Sequence, residues 1–269
     1  MNASCSCPDL HHLSPAMSYH PETYWNEVAQ RVASRGKGNI IAGDDEPYYR
    51  YKRKKFLELL HAIPFTGKTV LELGPGPGGN LLEIWKHNPR ELCGADISGE
   101  MITLARRNLP AEIMLYRIED DVLSFGADHF DIVLTSTVLQ HTTDAAMLEK
   151  TIAEMCRVGR SDIYIFERIE KKIKGDELCL GRPAGFYAEL FLEHGFKLVR
   201  TEFLRVQASY LVSGAIRKIF SRKSRREGEK NSSLALLLQK ISLPFTSVLD
   251  RLTRADRDLA MLHFQKNKE

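Results

Sequence analysis

The sequence predicts an α/β fold in which a parallel sheet carries helices on both faces. Three observations point there. Strand-type and helix-type segments alternate between residues 69 and 206. The first strand runs straight into a glycine loop, Val70-Leu71-Glu72-Leu73-Gly74-Pro75-Gly76-Pro77-Gly78-Gly79-Asn80. An apolar run from Leu81 then starts a helix. Alternation of this kind implies a parallel sheet with covering helices. Ligands of such sheets sit at the carboxyl ends of the strands, where the strand order reverses.

The elements follow in order. Residues 1–17 read as a tail. Its Cys5, Cys7, His11 and His12 are metal-ligand types, but their spacing fits no zinc pattern. A helix is expected over 18–33, with Tyr24, Trp25, Val28 and Val32 on one face. Gly36-Lys37-Gly38 and Gly43-Asp44-Asp45-Glu46-Pro47 are loop signals. A second helix is expected over 47–62, and residues 18–64 together read as a helical cap. Core strands are expected at 69–73, 91–95, 112–117, 130–135, 162–167 and 197–206. Helices are expected at 80–87, 99–108, 144–157 and 183–194.

The remainder has a different pattern. Leu211, Val212, Ala215, Ile216, Ile219 and Phe220 form one apolar helical face, with Arg217 and Lys218 opposite. The basic run Ser221-Arg222-Lys223-Ser224-Arg225-Arg226 follows. A second apolar stripe comprises Leu234, Leu237, Leu238, Ile241, Phe245, Val248 and Leu252, and Pro244 is expected to break or kink it. The run 259–264 reads as a last strand. No internal repeat is visible.

A chain of 269 residues suits one medium domain with additions. Its net charge of +3 is too weak to suggest nucleic-acid binding over the whole surface. No apolar stretch suggests a transmembrane helix, and no signal peptide is visible. Five cysteines without a regular framework fit a reducing cytosol. The expected location is therefore cytoplasmic.

Four elements carry chemistry. Glycines at 74, 76 and 78 let a ligand approach the backbone, and the next helix offers free N–H groups and a positive dipole end. Asp96, about twenty residues beyond the loop, ends a strand and can accept hydrogen bonds from both hydroxyls of a ribose. It could also be a turn residue before Ser98. Ile118-Glu119-Asp120-Asp121 follows the third strand, where a carboxylate and backbone N–H groups can read an adenine edge. The choice between Glu119 and Asp120 stays open, as does a solvated acidic loop. Phe130 to His141 forms a strand and a turn that place His141 near the ligand end of the sheet. His141 is either a proton acceptor or a structural histidine.

Taken together, these elements resemble the class I S-adenosylmethionine-dependent methyltransferases, and most closely their small-molecule, type 11-like branch. The motif is a strand, E/D-x-G-x-G-x-G, then a Phe-Asp-hydrophobic strand and a His-containing turn. The resemblance covers residues 65 to 205 and the last strand. It implies a Rossmann-like seven-stranded sheet, mostly parallel, with the last strand antiparallel. It also implies S-adenosyl-L-methionine as cofactor, with a methyltransferase domain over 65–269 and a helical insertion at about 208–255. Carried over, Glu72, Gly74, Gly76 and Gly78 would line the methionine part of the cofactor. Asp96 would hold the ribose, and Ile97 would pack on the adenine. Ile118 and either Glu119 or Asp120 would meet the base, and Thr135 would lie under the sulfonium. Arg50 would meet the cofactor carboxylate, or else be a solvated helix charge.

Departures from family patterns narrow the acceptor. Thr135-Ser136-Thr137-Val138 stands where amino-group methylases carry an Asn/Asp-Pro-Pro-aromatic motif. No aspartate ends the fourth strand, so the metal site of catechol-type enzymes is not supported. The expected reaction is methyl transfer to a small-molecule, glycan or lipid-linked acceptor, at oxygen. His141 is the first candidate base, and Glu167 and Arg168 share its rim.

The late insertion is either a substrate lid, a helix packed on the domain, or a basic amphipathic element on an anionic membrane. Two other functions stay open. One is an NAD-dependent oxidoreductase, although the dinucleotide motif wants its third glycine one residue later, where Gly79 stands. The other is a non-catalytic cofactor-binding module. No RNA-binding module is recognisable, and the sequence does not indicate an oligomeric state.

Overall fold

The computed structural model describes residues 19–34, 46–221, 231–252 and 255–267. The tail with its Cys5, Cys7, His11 and His12, the loop signals at 36–38 and 43–45, and the basic run at 222–226 lie outside the described residues.

The main sheet is built from β1 (Thr69–Leu73), β2 (Glu91–Asp96), β3 (Met114–Arg117), β4 (Phe130–Ser136) and β5 (Gly159–Ile169), joined later by β8 (Phe196–Phe203) and β9 (Asp258–Lys266). Its order is β3-β2-β1-β4-β5-β9-β8. β1 to β5 pair in parallel, whereas β9 runs antiparallel to both β5 and β8. The expected seven strands and antiparallel last strand are therefore present. The order reverses between β1 and β4, which places a ligand crevice beyond the carboxyl ends of those two strands. A two-stranded hairpin that the sequence did not suggest, β6 (Lys174–Gly175) and β7 (Leu180–Gly181), follows β5.

Successive side chains of a strand face opposite sides of the sheet, and β1 sorts accordingly. Leu71 and Leu73 join Val133, Ile163 and Ile165 in a core covered by α5 (Ala145–Val158) and α6 (Ala184–Glu193). Val70 joins Ile132, Leu134 and Phe166 in a second core, covered by α2 (Pro47–Leu60) and α3 (Gly79–Trp85). Glu72 has the parity of Val70, so its carboxylate lies on the α2 and α3 side. The two N-terminal helices pack on different elements. α1 (Pro21–Ala33) lays Val28, Ala29 and Val32 against Met101 of α4 (Gly99–Asn108). α2 instead packs on the sheet and against the late helices.

Those late helices, α7 (Gln207–Phe220) and α8 (Ser233–Leu252), lie between β8 and β9 and turn polar residues inward. Ser209, Ser213 and Arg217 of α7 are buried, as are Ala235, Gln239, Thr246 and Asp250 of α8, while most of the apolar stripe is exposed. Hydrogen bonding explains the inversion. Asp250 accepts from the Ala208 N–H at 2.7 Å and from the Ser209 hydroxyl at 2.5 Å, and it caps the first turn of α7. The Ser209 hydroxyl also meets Thr246 at 2.8 Å. Arg217 lies over the rings of Tyr48 and Tyr49 and 3.7 Å from Glu46. Pro244 does not break α8, which continues to Leu252.

Candidate functional site

The loop from Gly74 to Gly78 leaves β1 at the reversal point. Gly74, Gly76 and Gly78 all have positive φ, at 68°, 52° and 94°, a conformation that glycine adopts without a Cβ clash. Two of them are also tightly enclosed. A Cβ on Gly74 would stand 2.3 Å from Val138 Cγ2, and one on Gly78 would stand 2.8 Å from Leu109. At Gly76 the same position faces open space, so the loop's middle is the part a ligand can approach. Gly78 caps α3, whose first N–H groups point toward the loop.

Glu72 is fully buried behind this loop. Its Oε1 accepts from Asn80 Nδ2 at 2.6 Å, and its Oε2 has no hydrogen-bond partner. Burial pushes the carboxyl up to about 7, against the opposing pull of the Asn80 hydrogen bond and the Arg53 charge. A buried acceptor without a partner is costly unless a donor arrives. The guanidinium that braces the loop is that of Arg53, which donates to Asn80 Oδ1 and, at 3.0 Å, to the Gly79 carbonyl. Arg50, one turn earlier on α2, is exposed. Arg53 stands in a run of cations from Arg50 to Lys55, so no local signal singled it out.

Asp96 ends β2 and is buried. One oxygen accepts from the Ser98 N–H at 2.9 Å and the other from the Gly76 N–H at 3.3 Å. Burial raises its pKa to about 6, with the N–H groups of Ser98, Gly76 and Ile97 opposing. Asp96 is thus tied to the glycine loop through the Gly76 N–H. Half-buried Ile97 follows it, and the Ile118 N–H donates to the Asp96 carbonyl at 2.9 Å. Glu119 and Asp120 are exposed in the tight turn beyond Ile118, where Asp120 has positive φ. Thr135 is fully buried, and its hydroxyl donates to the Leu73 carbonyl at 3.0 Å, tying the end of β4 to the loop's entry.

His141 lies on the turn after β4. Its Nδ1 is 2.7 Å from the Leu178 carbonyl, so the proton sits on Nδ1. Its Nε2 then accepts from the Gln140 amide at 3.2 Å, and Gln140 is oriented by the Arg168 N–H at 3.1 Å. Trp25 of α1 meets the imidazole edge-on, with ring centroids 5.1 Å apart. Two buried charges hold this turn. Glu167 accepts the N–H groups of Val138, Leu139 and Gln140 at 2.9–3.0 Å. Arg182 donates to the carbonyls of Leu139 and Thr142 at 2.8 and 2.7 Å. Burial lifts Glu167 to about 7 despite those three N–H groups. Arg168 pairs with Glu170 at 2.8 Å. Arg182 was not anticipated, because the hairpin that delivers it has no sequence signature.

The structure therefore brings Glu72, the three glycines, Asp96, Ile97, Ile118, Thr135 and His141 to one edge of the sheet. These residues suit the ligand that the resemblance implies. Glu72 offers an unpartnered acceptor to an ammonium, Asp96 a fixed carboxylate to a ribose, and the loop room for close contact.

Comparison with known proteins agrees. Residues 70–162 match the family described as "Methyltransferase domain". A ubiquinone biosynthesis O-methyltransferase of Chelativorans sp. (strain BNC1) is 34% identical over 101 residues, covering 36% of this chain and 40% of that protein. One from Coxiella burnetii is 28% identical over 125 residues, covering 45% and 51%. The chain thus spans about half the length of the curated relatives it matches. Among solved structures, the [4+2]-cyclase SpnF superposes with a TM-score of 0.64 at 15% identity, covering 92% of this chain and 96% of that one. Magnesium protoporphyrin IX methyltransferase (ChlM) from Synechocystis PCC 6803, with S-adenosylmethionine bound, gives 0.55 at 12% identity, covering 91% and 95%. At these identities the structures show a shared fold.

Fold and site together define a nucleotide-type cofactor domain of the Rossmann-like kind. More particularly, residues 70–162 are similar to a methyltransferase domain, and the chain shares its fold with a methyltransferase structure that binds S-adenosylmethionine.

Proposed function

We propose that this protein transfers the methyl group of S-adenosylmethionine to an oxygen of a small-molecule acceptor. The observation that carries the reading is His141, held at the rim of the cofactor loop with its proton fixed on Nδ1 and its lone pair on Nε2. When bound, the cofactor supplies an electrophilic methyl group on sulfur. The chain's own part is to hold donor and acceptor in line and to take the acceptor's proton. The hydroxyl of the acceptor replaces the Gln140 amide at Nε2 and gives up its proton there. Glu167 and Arg182 keep the turn from shifting as His141 becomes charged. Glu72, the glycines, Asp96, Ile97, Ile118, Thr135 and one of Glu119 or Asp120 line the cofactor. Arg53 is a positioning residue for the loop, and exposed Arg50 remains the candidate partner for the cofactor carboxylate.

The matched relatives are named O-methyltransferases, which supports oxygen as the methylated atom and does not favour an oxidoreductase. The acceptor class extends to glycan or lipid-linked hydroxyls, with the protein in the cytoplasm and in peripheral contact with an anionic membrane through its insertion. No described helix is long and apolar enough to cross a membrane.

His141→Ala should lower kcat by about 10²–10⁴-fold and leave the dissociation constant for S-adenosylhomocysteine unchanged. Labelled methyl transfer to the acceptor is the readout. An undiminished kcat would remove His141 from the mechanism.

A further inference from the structure

We infer that the outer face of the α7–α8 pair is a membrane seat: its apolar stripes enter the surface of an anionic bilayer, and a basic groove between α2 and α8 receives lipid phosphate. This deepens the peripheral contact proposed above and does not depend on the methyl-transfer chemistry.

The polarity of the pair is the first observation. Phe245, Ile219 and Leu252 are 73%, 70% and 79% exposed, and Leu211, Leu237, Ile241 and Val248 are each more than half exposed. On α8 the exposed residues recur at 234, 237, 241, 245, 248 and 252, which is one continuous helical stripe. The helices cannot roll to hide it, because Asp250, Thr246, Ser209 and Arg217 are committed to the inner face. An apolar surface of this extent marks an interaction site.

Charge selects the occupant. Asp250 is the only acidic residue in the sequence of the two helices, and it is buried beneath them. Lys218, Lys240 and Arg251 are exposed on the same pair. Beside the stripe, an open groove of about 330 Å³ is lined by Lys54, Lys55, Lys240 and Arg251 over Tyr51 and Pro244. Lys55 is shared with Glu58 at 2.8 Å; the other three cations are exposed. Apolar side chains that insert, flanked by exposed cations on helices whose one acidic residue is buried, match the chemistry of an anionic lipid surface. A second copy docked on this face about a two-fold axis would bring the same cations together, and the acid beside the groove, Glu58, is already paired with Lys55.

Co-flotation of the full chain with vesicles tests the seat. Wild type should float with phosphatidylcholine–phosphatidylglycerol vesicles and not with phosphatidylcholine alone. Ile241→Asp and Phe245→Asp should each abolish flotation. Lys54→Ala and Lys240→Ala should each weaken it about fivefold. All variants should keep the wild-type thermal shift on adding S-adenosylhomocysteine, which shows that they fold and bind cofactor. If wild type ignores anionic vesicles, both the seat and the peripheral contact fail. If only the Arg222, Lys223, Arg225 and Arg226 quadruple alanine variant loses binding, the contact stands and the seat is overturned. A wild-type dimer in sedimentation that Phe245→Asp dissociates, without lipid binding, would assign the face to a second copy and overturn the proposal.

Discussion

Gly74→Ala is expected to destabilise the protein by about 3 kcal/mol and to weaken cofactor binding at least tenfold. Two costs add. The left-handed backbone at φ 68° costs a residue with a Cβ about 1–2 kcal/mol. The new Cβ would also lie 2.3 Å from Val138 Cγ2, an overlap that forces the turn after β4 to move. Displacement of that turn matters because Glu167 holds its N–H groups and His141 stands at its end. For a chain of this size the stability loss should lower Tm by roughly 10 °C. Gly67→Ala is the internal control, since Gly67 has φ 71° but nothing within 4 Å of a Cβ. It should show the backbone cost alone. Adding Val138→Ala to Gly74→Ala should recover the overlap cost and leave the backbone cost. Equal Tm values for Gly74→Ala and Gly67→Ala would show that the contact with Val138 is harmless.

Asp96→Ala should weaken S-adenosylhomocysteine binding by more than 100-fold. Each hydrogen bond from a ribose hydroxyl to a carboxylate contributes about 1.5–3 kcal/mol, and two such bonds correspond to about 10²–10⁴-fold in affinity. The same carboxylate holds the Gly76 and Ser98 N–H groups, so its loss also loosens the loop and the start of α4. Titration calorimetry reads the change. A dissociation constant within threefold of wild type would mean that Asp96 is only a turn residue, the other role its sequence position allows.

The parts of this site that were legible in the sequence are those fixed by local backbone demands. Alternating glycines at 74, 76 and 78 announce positive φ, and a carboxylate about twenty residues on announces the end of the neighbouring strand. Both follow from short-range geometry, and the structure joins them through the Gly76 N–H and Asp96. The residues that hold the site from a distance left no such trace. Arg182 reaches Leu139 and Thr142 across about forty residues of sequence, and Arg53 reaches Asn80 across twenty-seven. Only the tertiary fold makes those pairs.

The orientation of α7 and α8 was illegible for another reason. Periodicity shows that a helix has an apolar face but not which way that face points. What it points toward is decided by its neighbours. Here Asp250 and Arg217 find partners inward on α7 and α2, and the leucines are left outside.

Calorimetric titration of the purified protein with S-adenosylmethionine, S-adenosylhomocysteine and NAD tests the central assignment most directly. Saturable one-site binding of the first two, absent with NAD, is the predicted result. Binding of NAD with no heat from either sulfur nucleotide would contradict the assignment of the Glu72–Gly78 loop and Asp96 to a methyl donor.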